Sequence, residues 1–240
     1  MKVIVCDNYE AISAEGAKLI ANQLKEKSNS ILGLATGSTP VGMYRKLIEM
    51  NQKGEIDFSD VTSFNLDEYY PISPDNSQSY RYFMEENLFG KVNIKTERTH
   101  VPAGNCEDIA AECEAYDAAI DAAGGIDLQV LGIGQNGHIG FNEPEESLYC
   151  NTHLTSLTES TIQANSRFFA SADEVPTHAV TMGIKSIMKA RTILLLASGK
   201  SKREAVAALL DDRITTTCPA TLLKLHPNVY LICDKDAYNG

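Results

Sequence analysis

No stretch of the sequence contains the roughly 20 consecutive apolar residues that a helix needs to span a bilayer. Residues 1–10 read as a short strand followed by polar residues, without the layout of a signal peptide. These absences predict a cytoplasmic protein that does not enter a membrane.

The sequence also lacks a Cys-x-x-Cys pair, and none of its cysteines has a histidine at a spacing that suits a metal ion. Most of them lie in apolar strand or helix contexts, which is typical of buried free thiols. We therefore expect no metal site. The cysteines are Cys6, Cys106, Cys113, Cys150, Cys218 and Cys233.

Positive charge is scarce, and the formal net charge at pH 7 is −11. This balance argues against nucleic acid or an anionic membrane surface as a main partner. It does not exclude an anionic small molecule, because a few local donors can hold a phosphate and salt screens charges beyond about 10 Å.

Short β-rich runs alternate with amphipathic helical patterns along the chain, without repeats or long linkers. Several of the runs are almost entirely apolar, as in strands that are covered on both faces. The pattern predicts one α/β domain over residues 1–240, with a doubly wound, mostly parallel sheet between helices in a Rossmann-like three-layer arrangement. The predicted strands are 2–6, 30–35, 61–65, 98–101, 126–131, 178–181, 192–197 and 229–233. The predicted helices include 11–27, 41–50, 106–122 and 201–210.

Ligands of such sheets bind outside the carboxyl ends of the strands, so the turn after each strand is informative. After the strand 30–35 the chain reads Thr36-Gly37-Ser38-Thr39-Pro40, and a helix is predicted to begin near Pro40. The hydroxyls and the free N–H groups of a helix start suit a phosphate, although an ordinary Ser or Thr helix cap has the same pattern. The segment lacks the Walker A spacing, so a nucleoside triphosphate is not implied.

Two adjacent acids, Asp67 and Glu68, follow the strand 61–65 and precede two tyrosines. A carboxylate held at the end of a strand and partly removed from water can act as a general base. A helix cap or a pair of solvated acids would also explain an isolated Asp-Glu pair.

The turn after the strand 126–131 reads GIGQNGHIGFNEP and contains a formal Gly-x-Gly-x-x-Gly. A dinucleotide fingerprint would need a helix to begin within the motif, and this segment has poor helix propensity. It presents instead an amide, an imidazole and a carboxylate, at Asn136, His138 and Glu143. An imidazole oriented by a carboxylate can take and return a proton near neutral pH, whereas a lone loop histidine is usually a structural hydrogen bonder.

Basic residues occur at two further places. Arg167 follows a predicted helix, and Lys200 and Lys202 follow the strand 192–197 in a Ser-Gly-Lys turn that resembles the loop at Thr36–Pro40. A lysine at a helix start opposes the helix dipole and favours a local anion. The pattern is compatible with a phosphate clamp or with solvated lysines.

Five segments together resemble the glucosamine-6-phosphate deaminase (isomerase) family: LATGSTPVGMY, FNLDEYY, LGIGQNGHIGFNEP, NSRFF and SGKSK. They occur in family order and cover essentially the whole chain. The resemblance implies conversion of glucosamine 6-phosphate and water to fructose 6-phosphate and ammonium, without a cofactor. The related 6-phosphogluconolactonases share the fold and the first loop but differ at the second and third segments.

By resemblance, Asp67 is the base that moves a proton between C2 and C1 through an enediol-like intermediate. His138 opens the sugar ring, and Glu143 orients that histidine. Asn136 takes a position where some members carry Asp, so the imidazole has one charged partner fewer. The phosphate-binding positions are Thr36, Gly37, Ser38, Thr39, Arg167 and Lys202.

The oligomeric state and the alternative functions can also be addressed from the sequence. Longer family members form allosteric hexamers with an extended C-terminus, so the resemblance predicts a monomer or weak homo-oligomer here, with a mobile lid around 150–171. The alternatives are a lactonase on the same fold, a sugar-phosphate sensor without turnover, and a dehydrogenase. The acid, imidazole and acid set argues against the sensor.

Overall fold

A seven-stranded sheet forms the centre of the molecule in this computed structural model, which describes residues 1–165 and 175–238. Every strand pair within this sheet is parallel in the described part of the chain. In spatial order the strands are β1 (Lys2–Cys6), β10 (Val229–Asp234), β9 (Thr192–Ala197), β6 (Leu128–Gly132), β2 (Ile31–Leu34), β3 (Thr62–Asn65) and β5 (Thr99–His100).

The central strands are buried along nearly their whole length, which explains their apolar composition, and helices flank the sheet. The strands and helices alternate as predicted, so the predicted fold class is confirmed. The helices are α1 (Tyr9–Glu26), α2 (Ser38–Gln52), α3 (Tyr80–Asn87), α4 (Ile109–Ala123), α5 (Glu159–Asn165), α6 (Ile184–Met188), α7 (Arg203–Leu210) and α8 (Lys235–Tyr238).

Helix α1 shows how local sequence sets these boundaries. Asn8 caps its first turn by accepting the backbone N–H of Ala11 at 3.0 Å. One face of the helix is buried, with Ile12, Ile20 and Leu24 at helical spacing, and it packs on α2 and on strands β9 and β10.

A second, antiparallel sheet of three strands lies beside the first. It consists of β4 (Asp67–Tyr70), β8 (His178–Thr181) and β7 (His153–Ser156), with β8 in the middle. Strand β8 was predicted from the sequence. The Asp-Glu-Tyr-Tyr run was predicted as a turn, and β7 was not predicted. Acidic residues are unfavourable in strands, and here the pairing with β8 overrides that preference.

Helix α2 begins at Ser38, two residues before Pro40, near which it was predicted to begin. The described cysteines are free thiols as predicted: Cys6, Cys113, Cys218 and Cys233 are buried, Cys106 is half-buried and Cys150 is exposed. None of the described helices combines the length and the apolar character needed to traverse a bilayer. The predicted lid extends into residues 166–171, which lie outside the described residues.

Candidate active site

A cavity of about 730 Å³ opens at the carboxyl ends of the parallel strands. The turns after β2, β3, β6 and β9 all contribute to its wall. The predicted site residues that line it are Thr36, Gly37, Ser38, Thr39, Asp67, Asn136, His138 and Lys202. Arg167 lies outside the described residues. A second cleft of about 490 Å³, between α4 and β7, contains none of the predicted site residues.

Two similar loops that each lead into a helix contribute to the wall of the cavity. Gly37 (φ 89°, ψ 179°) precedes α2, and Gly199 (φ 89°, ψ 160°) precedes the 3-10 helix Lys200–Lys202, which continues into α7. The positive φ favours glycine at both positions, and neither helix start receives a side-chain capping hydrogen bond. The backbone N–H groups of these starts are therefore suited to an anion, and Lys202 lines the same cavity.

Both loops are held from behind by polar side chains that the sequence did not single out. The Tyr9 hydroxyl donates to the carbonyl oxygen of Ser38 at 2.9 Å and accepts the N–H of Gly42 at 2.8 Å. Asp234 accepts the N–H of Gly199 at 3.0 Å and the hydroxyl of Ser198 at 2.6 Å. These hydrogen bonds tie one loop to α1 and the other to the end of β10.

Asp67 lies at the start of β4 and is 6% exposed, although it lines the cavity. Burial, with the neighbouring charge of Glu68 as a second cause, raises the pKa of Asp67 to about 8. Its strand partner Thr181 accepts the N–H of Phe141 at 3.1 Å, which ties β4 and β8 to the loop that carries His138.

Glu143 organises the other polar residues of that loop. Its Oε2 accepts the Asn136 amide at 2.7 Å and lies 3.3 Å from His138 Nδ1, while its Oε1 accepts the hydroxyl of Thr161 at 2.6 Å. Burial opposes ionisation of Glu143, but the contacts with His138, Thr161 and Asn136 outweigh it and lower the pKa to about 2. An ionised carboxylate can only accept, so Nδ1 carries the imidazole proton and Nε2 is left to exchange one.

Asn136 has two contacts in this arrangement. Its Oδ1 also accepts the backbone N–H of His138 at 3.2 Å. The amide thus fixes both the histidine and its carboxylate without adding a second negative charge. His138 packs so closely on Gly134 that a Cβ there would lie 2.4 Å from Nδ1, which explains the glycine.

The Gly-x-Gly-x-x-Gly segment does not open a helix. It turns at Gln135 and Asn136, and a short bridge then joins Ile139 to Asn142. The expectation that no helix begins within this motif is confirmed, whereas a dinucleotide fingerprint delivers the pyrophosphate to such a helix start.

The structure adds residues that the sequence did not indicate: Tyr80, Phe141, Thr161 and Glu204 also line the cavity. Thr161 comes from α5 and contacts Glu143 across 18 positions of sequence. No local pattern marks such a long-range contact.

A family model described as glucosamine-6-phosphate isomerases/6-phosphogluconolactonase matches residues 7–231. A glucosamine-6-phosphate deaminase of Thermoanaerobacter pseudethanolicus is 59% identical over 237 residues, which cover 99% of this chain and 94% of the relative. The chain belongs to the glucosamine-6-phosphate deaminase (isomerase) family. The glucosamine-6-phosphate deaminase of Halothermothrix orenii is 55% identical over 237 residues, which cover 99% of this chain and 98% of that relative.

Solved structures agree with the family membership. A structure described as a monomeric glucosamine-6-phosphate deaminase superposes with a TM-score of 0.97 at 46% identity, covering 100% of this chain and 99% of the other. The 6-phosphogluconolactonase of Thermotoga maritima has a TM-score of 0.78 at 22% identity, with 98% and 99% coverage, and shares the fold alone. The predicted resemblance to the deaminase family is confirmed, and the lactonase alternative is less supported.

Proposed function

We propose that this chain converts glucosamine 6-phosphate and water to fructose 6-phosphate and ammonium. Its membership of the deaminase family supports the reaction class. The single observation that carries the assignment of roles is the cavity itself: residues 36–39 and Lys202, as an anion cradle, line it together with Asp67 and His138, and the buried Glu143 contacts His138 at 3.3 Å.

The chemistry requires two kinds of proton transfer. The closed sugar hides its aldehyde, so His138 moves a proton between the C1 hydroxyl and the ring oxygen, and the C1–O5 bond breaks. Asp67 then removes the C2 proton of the amino aldehyde. The freed electron pair forms the C1–C2 double bond of an enol-amine as the C1=O π bond breaks and the C1 oxygen takes up a proton. When Asp67 returns its proton to C1, the nitrogen lone pair forms the C2=N bond and the nitrogen releases a proton, which leaves a C1 hydroxyl and an imine at C2. Water adds to the imine, and ammonia leaves as ammonium.

The phosphate fixes the sugar at the cradle, remote from the reacting carbons, so its binding energy positions C1 and C2. We assign the phosphate to the N–H groups and hydroxyls of 36–39 and to Lys202, with Arg167 as a further predicted contact. The loop starts are already held in place, which reduces the ordering cost of binding.

Lys202→Ala is expected to raise KM for glucosamine 6-phosphate roughly 10- to 100-fold, because a charge-assisted hydrogen bond contributes about 1.5–3 kcal/mol. The value of kcat should change little, because the phosphate is remote from the reacting atoms. Lys200→Ala is the matched control, since Lys200 is exposed and its side chain does not line the cavity. A flat KM with a lower kcat in Lys202→Ala would show that Lys202 is not a phosphate anchor.

The pH profile of kcat/KM should rise through about pH 8. A base works only when ionised, and burial raises the pKa of Asp67 to about 8, so the active form accumulates as the pH rises through that value. Ionisation of the substrate can also change the pH profile. The residual rate of Asp67→Asn is therefore the control, and its profile should lack the rise that the ionisation of Asp67 causes. A profile that is already flat above pH 6 would argue against the buried carboxylate as the base.

We further propose that the protein works as a monomer, with a phosphorylated amino sugar as its partner. The support is its 46% identity, over the whole chain, to a deaminase described as monomeric. Its predicted location in the cytoplasm stays a prediction.

A further inference from the structure

Glu68 is a buried carboxylate that the proposed reaction does not use. It is 2% exposed and follows Asp67 directly on β4. Successive residues of a strand point to opposite faces, so Asp67 lines the cavity while Glu68 turns toward α3. A buried carboxylate is costly unless hydrogen bonds compensate it, and Glu68 has unusually many.

Its two oxygens accept backbone N–H groups from Tyr69 at 2.9 Å, from Tyr80 at 2.8 Å and from Arg81 at 2.9 Å. Tyr80 and Arg81 are the first two residues of α3, so a strand residue satisfies the open donors of this helix start. Ser79 separately caps the same helix by accepting the N–H of Tyr82 at 3.0 Å. The helix therefore has a local cap already, and the contact with Glu68 fixes where α3 sits relative to β4.

The docked helix places one aromatic side chain at the site. The ring of Tyr80 lines the cavity together with Asp67 and Phe141. It packs with its centroid 4.7 Å from the ring of Tyr69 and stacks on Phe141 at 6.1 Å. The position of this ring depends on the first turn of α3, which Glu68 holds.

We propose that Glu68 is a positioning residue for the reaction: its carboxylate docks α3 on β4, holds Tyr80 as the cavity wall beside Asp67, and supplies a negative charge next to that base. This inference rests on the proposed role of Asp67. In this proposal Asp67 contacts the substrate, and Glu68 determines the environment of Asp67.

Three titratable groups interact electrostatically with Asp67: Glu68, the next residue of its strand, Tyr80 from α3 and Tyr116 from α4. Tyr116 is buried and Tyr80 is partly buried, and desolvation raises the pKa of both tyrosines well above the usual range. His138, on the loop across the cavity, is paired with Glu143. Burial also raises the pKa of Glu68, to about 7, which is below that of Asp67, so Glu68 is mostly ionised where Asp67 titrates. Among the described residues, Glu68 is the one whose negative charge raises the pKa of Asp67, and its removal should make Asp67 easier to ionise.

Two substitutions separate the effect of the Glu68 charge from the effect of its side-chain length. For both variants, the full pH profile of kcat/KM is measured with glucosamine 6-phosphate. Glu68→Gln removes the charge and is expected to move the rising limb to lower pH by about one unit. Glu68→Asp keeps the charge but is one methylene shorter, so the limb should stay in place while KM rises. Glu85→Gln is the matched control, because Glu85 is a partly exposed acid of the same α3 helix, paired with Arg81 at 2.8 Å.

An unmoved limb in a folded Glu68→Gln variant would overturn the inference. If neither Glu68 variant folds, Tyr80→Ala tests the wall directly: KM is expected to rise about tenfold or more with the limb unmoved, and an unchanged KM would overturn it. Failure of the proposed function would look different, because the wild-type chain would then release no ammonium or Asp67→Asn would retain full activity.

Discussion

Asparagine in place of Asp67 is expected to lower kcat by on the order of 10³-fold, because a positioned general base contributes about 10²- to 10⁴-fold. The amide has nearly the same shape as the carboxylate but cannot take the C2 proton. Binding through the phosphate should remain, since the cradle of 36–39 and Lys202 lies on other loops. The measurements are ammonium release at saturating substrate and the Kd of the sugar phosphate.

Deuterium incorporation from D₂O gives a sharper readout for the same variant. The wild-type enzyme should exchange the proton that moves between C2 and C1, and Asp67→Asn should not. Asp75→Asn serves as the control, because Asp75 is an exposed acid. Wild-type kcat or normal exchange in Asp67→Asn would refute the assignment of the base.

Glutamine in place of His138 is expected to lower kcat by about 10²-fold or more, through loss of proton transfer during ring opening. Glu143→Gln should cause a loss of similar kind, because the amide would no longer keep the Nδ1 proton in place. The two residues act as a unit, so the double variant should be hardly worse than either single one.

The control for this pair is His153→Gln, since His153 lines the separate cleft between α4 and β7 and stacks on Tyr149. Its activity should be that of the wild type. Fully additive losses in the His138 and Glu143 variants would show that the two side chains act independently, contrary to the 3.3 Å contact.

The parallel sheet could be predicted because its strands are buried on both faces and therefore apolar in sequence. Strands β6 and β9 are examples of this pattern. Strand β4 escaped prediction because Asp67 and Glu68 disfavour a strand locally, and only pairing with β8 stabilises it. Strand β7 is half exposed and only four residues long, so it carries little periodic signal.

The site residues also differ in how well the sequence predicted them. Asn136, His138 and Glu143 lie within eight residues, so one loop motif was enough to predict that they act together. Thr161 and Tyr80 were missed because each reaches the cavity from an element distant in sequence. For the Asp-Glu pair, the sequence was compatible with either a general base or a helix cap. In the structure, Asp67 is buried in the cavity wall, and Glu68 accepts hydrogen bonds from the first two N–H groups of α3.

The measurement that tests the account most directly is a crystal structure of the Asp67→Asn variant with glucosamine 6-phosphate bound. The phosphate should accept hydrogen bonds from the N–H groups that follow Gly37 and from Lys202. Position 67 should face C2, and His138 should lie within hydrogen-bond distance of the ring oxygen or the C1 hydroxyl. A sugar bound with its phosphate beside His138, or one bound in the cleft between α4 and β7, would contradict the account.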